Sequence, residues 1–100
     1  MTGTTRSSAG LDERRKKLLF RAWHRGTREM DLILGRFADA FIGELSEPDL
    51  DAFEVLTELP DPDLYNWISG EKPLPKEHDT PMFHRVRDYH SQGFNLDGHR

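Results

Sequence analysis

Between residues 30 and 41 apolar side chains return at i, i+3, i+4, i+7, i+8 and i+11: Met30, Ile33, Leu34, Phe37, Ala38 and Phe41. That spacing keeps them on one face of a helix for three turns. A helix with so broad an apolar stripe is marginal alone and must bury the stripe against something else. The rest of the chain has to supply partners, and it supplies helices. Leu18, Leu19, Ala22 and Trp23 form one further stripe, Leu50, Phe53, Leu56 and Leu59 a second. Leu64, Trp67 and Ile68 make a third, shorter one, and Met82, Phe83, Val86 and Tyr89 a fourth. No stretch alternates with period two, and no Asn-Gly or Asp-Gly turn joins two β-rich runs. No repeat of roughly 20–50 residues is present. The expectation is an all-α fold, a compact bundle of five short helices with a radius of gyration near ~13 Å.

Capping residues and breakers place the boundaries. The first helix is expected over about Asp12 to Arg25, capped by Asp12, with Arg25 in the last turn and Gly26 just beyond it. The second runs from Arg28 to Ile42 behind Thr27 as N-cap, with Glu29 and Asp31 in its positive first turn. Gly35 lies off its stripe and costs about 1 kcal/mol relative to alanine; close packing against another backbone and simple tolerance both account for it. Ser46 caps the third helix and Pro60 stops it. Asp61 caps the fourth, Pro62 sits at its first position, Trp67 points inward as a core plug, and Gly70 ends it. A loop, EKPLPKEHD, leads to a fifth helix that starts at Asp79 or Thr80 and closes at Gly93. Residues 1–11 read as a disordered lead-in, 12–92 as the helical domain and 93–100 as a flexible tail.

Composition narrows the function classes. The chain has 100 residues and a net charge of −4, so the overall basic footprint of a nucleic-acid binder is missing. It has no cysteine, which excludes disulfides, thiolate nucleophiles and cysteine-held metals and is compatible with a reducing cytoplasm. No apolar run approaches the ~18 residues of a membrane span, and the first residues lack the apolar centre of a signal peptide. Charged residues make up 32% and apolar ones 35%, enough for one modest core under a heavily charged surface.

The candidate chemical groups are scattered. The five histidines, His24, His78, His84, His90 and His99, include no i, i+4 pair and no HExxH, which favours structural or surface roles over metal binding. The acids Asp49, Asp51, Glu54, Glu58, Asp61 and Asp63 fall mostly where helix caps and first turns want negative charge; an enzyme would need those around 58–63 gathered in a pocket. The basic run RRKK at 14–17 reads as a solvated helix face, with attraction to an acidic partner or membrane surface as the alternative. There is no GxSxG, P-loop or GxGxxG.

The stretch WHRGTREMD, residues 23–31, is the exception. Two helix dipoles and a turn explain Arg25, Gly26, Thr27 and Glu29. They do not explain Arg28, a cation at a helix N-terminus where cations are disfavoured. The competing explanation is an exposed corner offered to a protein. Gly26 would permit close backbone approach, Arg25 and Arg28 could fork onto carboxylate or phosphate, and Glu29 and Asp31 would fix them or meet basic groups.

Arg25-Gly26-x-x-Glu29-x-Asp31 resembles the RGxxE motif of the SdhE, or succinate dehydrogenase assembly factor 2, family. DPDLYNW, with Asp61, Asp63, Leu64, Tyr65 and Trp67, is similar to that family's second signature. The resemblance covers about residues 12–90, and only His24 departs, standing where many relatives carry a second basic residue. It implies a five-helix bundle that is not itself an enzyme. Such a protein assists covalent attachment of FAD to the flavoprotein subunit of succinate dehydrogenase, a tricarboxylic acid cycle enzyme, and in bacteria sometimes of fumarate reductase. The flavin ends on a histidine of that partner, so no cofactor is held stably on this chain. Arg25, Gly26 and Glu29 would contact the flavoprotein, Asp31 would support them, and Asp63, Tyr65 and Trp67 would lie at the interface or in the core, with the core favoured for Trp67. The implied setting is a bacterial cytoplasm, without nucleic acid or membrane insertion, and the free chain is expected to be a monomer. Bacterial members have also been labelled antitoxins, so a toxin-neutralising or other regulatory binding module is the alternative.

Overall fold

The computed structural model describes residues 10–98, with side chains as far as Gln92. Five α-helices lie among them: α1 (Glu13–Trp23), α2 (Arg28–Phe41), α3 (Glu47–Thr57), α4 (Asp61–Ser69) and α5 (Pro81–Gly98). A single 3-10 turn, Lys76–His78, breaks the loop before α5. No strand occurs among the described residues, and no helix there is long and apolar enough to cross a membrane. The radius of gyration is 13.0 Å.

Side-chain caps start the helices. Asp12 accepts from the Arg15 backbone N–H at 2.8 Å, Thr27 from Met30 at 3.3 Å, Ser46 from Asp49 at 3.3 Å and Thr80 from Phe83 at 3.2 Å. The carboxyl of Asp12 is held below its usual range, first by that backbone N–H and also by the charge of Arg15. The fourth helix departs from expectation. Its N-cap is Pro60, which makes no side-chain bond, and Asp61 lies inside the first turn with its carboxylate engaged by Arg25.

α2 is the centre of the bundle. Met30, Ile33, Leu34, Phe37 and Ala38 are all buried, with Phe41 at the margin, while α1 packs on α2 and α3, and α5 on the other side of the same pair. Each fully buried large apolar side chain contributes roughly 1.5–3 kcal/mol. Phe37 meets Phe53 of α3 at 5.6 Å and Tyr89 of α5 at 6.0 Å between ring centroids, so three helices share one aromatic cluster. Gly35 is buried as well: a Cβ there would lie 2.3 Å from Cδ2 of Trp23. The close approach is to an indole of α1, not to a backbone. Trp23, whose Nε1 donates to Asp39 at 3.1 Å, is the core tryptophan. Trp67 is only half-buried and stacks at 5.0 Å on His78, which lies in the turn missed in the sequence.

The basic run is half structural. Arg14 reaches Glu47, Asp51 and Glu54 of α3 at 3.1, 2.6 and 2.9 Å, and Arg15 donates to the carbonyls of Ile42 and Leu45 past the end of α2. Only Lys16 and Lys17 stand in solvent as a solvated face would. At the chain ends, Leu11 of the expected lead-in packs against the core, and residues 1–9 lie outside the description. Gly93 does not close the last helix, which runs to Gly98; a glycine within a helical run weakens it without ending it. The flexibility expected of 93–100 falls on side chains, and on residues 99–100, outside the description.

Candidate functional site: the corner between the first two helices

α1 ends two residues earlier than its sequence suggests, at Trp23. His24 leaves the helix at φ −127°, ψ 58°, and its ring stacks on Phe20 with centroids 3.9 Å apart. Gly26 then takes φ +108°, a backbone closed to ordinary side chains. Nothing lies within 4 Å of where its Cβ would be, so the chain's direction and not space demands glycine there. Thr27 opens α2.

The charges of this corner divide into two sets. Arg25, freed from the helix, turns inward. Its backbone N–H donates to Asp31 Oδ1 at 2.6 Å, which fixes the turn. Its guanidinium donates to Asp61 Oδ1 through Nε at 3.0 Å and Nη2 at 2.7 Å, and to the carbonyls of Thr57 and Leu59. The Arg25 and Asp61 side chains are 11% and 15% exposed, which makes this a largely desolvated pair. Thr57 is the last residue of α3 and Leu59 lies two residues beyond it, where carbonyls lack helical partners, so one arginine closes that end and ties it to the corner. Gly26, Thr27, Arg28 and Glu29 are all exposed, and neither Arg28 nor Glu29 has a hydrogen-bond or ion-pair partner among the described residues.

The exposed set forms a ridge between two hollows. One of about 300 Å³ is lined by Thr27, Glu29, Met30, Asp61, Pro62 and Tyr65. The other, about 540 Å³, is lined by Trp23, His24, Gly26, Thr27, Arg28 and Asp31. The seven residues singled out in the sequence are therefore distributed unevenly. Arg28 and Glu29 project freely, Gly26 supplies the turn, and Tyr65, 40% exposed, faces Glu29 across the first hollow. Arg25 and Asp31 hold the ridge from behind. Asp63 is exposed on α4 and lines neither hollow. Thr27, His24 and Pro62 join the site without having been singled out for it, and only the density of caps and turns near residues 24–27 and 60–62 hinted at them.

The arrangement sets a guanidinium and a carboxylate without partners among the described residues, and exposed glycine backbone, between two concave surfaces, which suits recognition better than catalysis. The acids around residue 60 do not assemble into a catalytic pair, since Asp61 is bound to Arg25 while Glu58 and Asp63 are exposed. The histidines are likewise dispersed, His78 on Trp67 and His84 between Asp79 and Arg87. No group of three or more histidines or acids among the described residues is placed to hold a metal ion.

Comparison with known proteins gives the corner a context. Residues 16–90 match the family model described as flavinator of succinate dehydrogenase. The chain is 43% identical over 76 residues to the FAD assembly factor SdhE of Acetobacter pasteurianus, covering 76% of this chain and 70% of that one. It is 38% identical over 79 residues to the mitochondrial succinate dehydrogenase assembly factor 2 of Dictyostelium discoideum, covering 79% of this chain and 56% of the relative. A third relative, the mitochondrial assembly factor 2 of Debaryomyces hansenii, is 34% identical over 73 residues, covering 70% and 51%. The chain thus spans about half the length of these mitochondrial relatives. By the extent of the family match and the level of identity, this chain belongs to the family of the flavinators of succinate dehydrogenase.

Proposed function

We propose that this protein docks on the flavoprotein subunit of succinate dehydrogenase through the Gly26–Glu29 ridge and promotes covalent attachment of FAD to that subunit. The observation that carries this is the pairing of family membership with a corner whose inner charges are bonded and whose outer charges, Arg28 and Glu29, have no partner among the described residues. The bond to be made would join the flavin 8α-methyl carbon to a ring nitrogen of a histidine of the flavoprotein: a methyl C–H and the imidazole N–H would be broken, the electron pair would stay on the ring, and the resulting two-electron-reduced flavin would pass its electrons to the flavoprotein's own electron acceptor. Forming it requires that histidine beside the ring and stabilisation of negative charge on the ring. A rigid ridge that holds the flavoprotein's domains in the productive arrangement supplies both in trans, by proximity and preorganised electrostatics. The protein is then an assembly factor without catalytic residues of its own, and FAD stays on the partner.

Its setting is the cytoplasm of a bacterium, as a monomer when free, and its clients extend to the fumarate reductase flavoprotein. Support comes from the bacterial relative named for FAD assembly and from a corner that one copy of the chain completes alone. The test is expression of each flavoprotein with and without this protein, scored by flavin fluorescence of the denatured subunit in a gel. Fluorescence should appear only with the protein present, and fluorescence of the succinate dehydrogenase subunit unchanged by its deletion would end the proposal. A pull-down that yields a toxin and no flavoprotein would favour the antitoxin alternative.

A further inference from the structure

α1 has a second ordered face. Glu13, Lys16, Lys17, Phe20 and His24 recur at i, i+3, i+4, i+7 and i+11, on the side of the helix opposite Leu18, Leu19 and Ala22. Phe20 is 63% exposed, and a shallow hollow of about 340 Å³ lies around it, lined by Glu13, Lys16, Lys17, Phe20 and Arg21. A single exposed aromatic is unremarkable on its own. Three further features give this one meaning. Its ring is stacked on His24, whose Nδ1 lies 2.8 Å from the Phe20 carbonyl, so it is held in place. Lys16 and Lys17 have no ion pair among the described residues, whereas Arg14 and Arg15 of the same run are fully engaged. And His24 also lines the hollow beside Gly26 and Arg28, so the α1 face runs without a break into the corner.

Lys16, Lys17 and Arg28, cations without an ion pair among the described residues, thus border one continuous surface of a chain whose net charge is −4. Resting on the function proposed above, we infer that the α1 face is the second half of the docking surface and receives an acidic segment of the flavoprotein that carries an apolar side chain. Phe20 and the hollow beside it take the apolar group, and the two lysines and Arg28 take the carboxylates. An aromatic anchor ringed by complementary charge is the composition that concentrates binding energy and orients encounter. A membrane surface fits less well. Polybasic attachment to anionic lipid uses clusters of about 4–8 lysines or arginines, and among the described residues this surface offers three without an ion pair, Lys16, Lys17 and Arg28.

The experiment titrates the purified 100-residue chain against the flavoprotein by calorimetry, at about 0.05 and 0.3 M salt, the range over which screening of exposed charge grows. Phe20→Ser and the double variant Lys16→Glu/Lys17→Glu are compared with the natural chain. All three positions are exposed, so folding is retained, and circular dichroism checks it. Each variant should bind about ten-fold more weakly or worse, and the lysine variant should lose most of the salt dependence. A photo-reactive benzoylphenylalanine at position 20 should cross-link to the flavoprotein. If the natural chain fails to bind the flavoprotein at all, the proposed function falls and this inference with it. If it binds and both variants bind as tightly with the same salt dependence, this inference alone is overturned. Sedimentation with phosphatidylserine vesicles that the lysine variant abolishes, with flavoprotein affinity unchanged, would assign the face to lipid and also overturn it.

Discussion

Arg25 and Arg28 lie three positions apart and face opposite ways. Arg25 donates to Asp61 and to the carbonyls of Thr57 and Leu59, at and just past the end of α3, while Arg28 has no hydrogen-bond or ion-pair partner among the described residues. Arg25→Ala would leave a nearly buried carboxylate and two carbonyls unpartnered, a loss of about 3–5 kcal/mol. A lysine there would keep the charge but not the fork. Urea denaturation should show that loss for Arg25→Ala, and a change within about 0.5 kcal/mol for Glu29→Ala, as for other exposed positions. A different residue contributes to the response to acid. Burial pushes His90 below the usual histidine range, and the charge of Arg36 adds to this. Protonation therefore draws the chain toward the unfolded state. Stability held above the ordinary histidine pKa of ~6.5 is lost as pH falls through and below it. The melting temperature should decline between about pH 7 and pH 5, and His90→Gln should flatten that decline, whereas the contribution of Asp12 disappears only in the more acid region below its ordinary 3.8.

At the scale of elements, α2 is the member on which the others depend. Phe37 and Phe53 are fully buried in an aromatic cluster shared by α2, α3 and α5. Phe53→Ala should cost about 3–5 kcal/mol, a large part of the ~5–15 kcal/mol that holds a domain of this size, and the urea midpoint would report it. This layer was legible in the sequence because helical periodicity and caps are local signals. The stripe from Met30 to Phe41, and the caps Asp12, Thr27 and Ser46, appear in the structure where their spacing puts them. Contacts between distant positions were not legible. Nothing near Arg25 announces a bond to a residue 36 positions away. The same long-range bond accompanies two departures from the local signals: α1 ends at Trp23, and Pro60 rather than Asp61 stands at the N-cap of α4. Gly35 and Trp23 are related in the same way: a buried glycine on one helix makes room for an indole on another. The motif at residues 25–31 was visible, but its division into an inner lock and an outer ridge required the fold.

For the molecule as a whole, the inner lock makes the outer ridge useful. A corner tied to the α3–α4 turn presents Arg28 and Glu29 at fixed positions between two hollows, so little ordering is left to be done when a partner arrives. The most direct measurement takes the double variant Arg28→Ala/Glu29→Ala, first through urea denaturation and then into cells making the succinate dehydrogenase flavoprotein. Folding stability within about 0.5 kcal/mol of the natural chain, together with covalent flavin reduced to the level of cells lacking the protein, is the expected result. Full covalent flavinylation supported by that well-folded variant would contradict the claim that the exposed corner is where the partner is held.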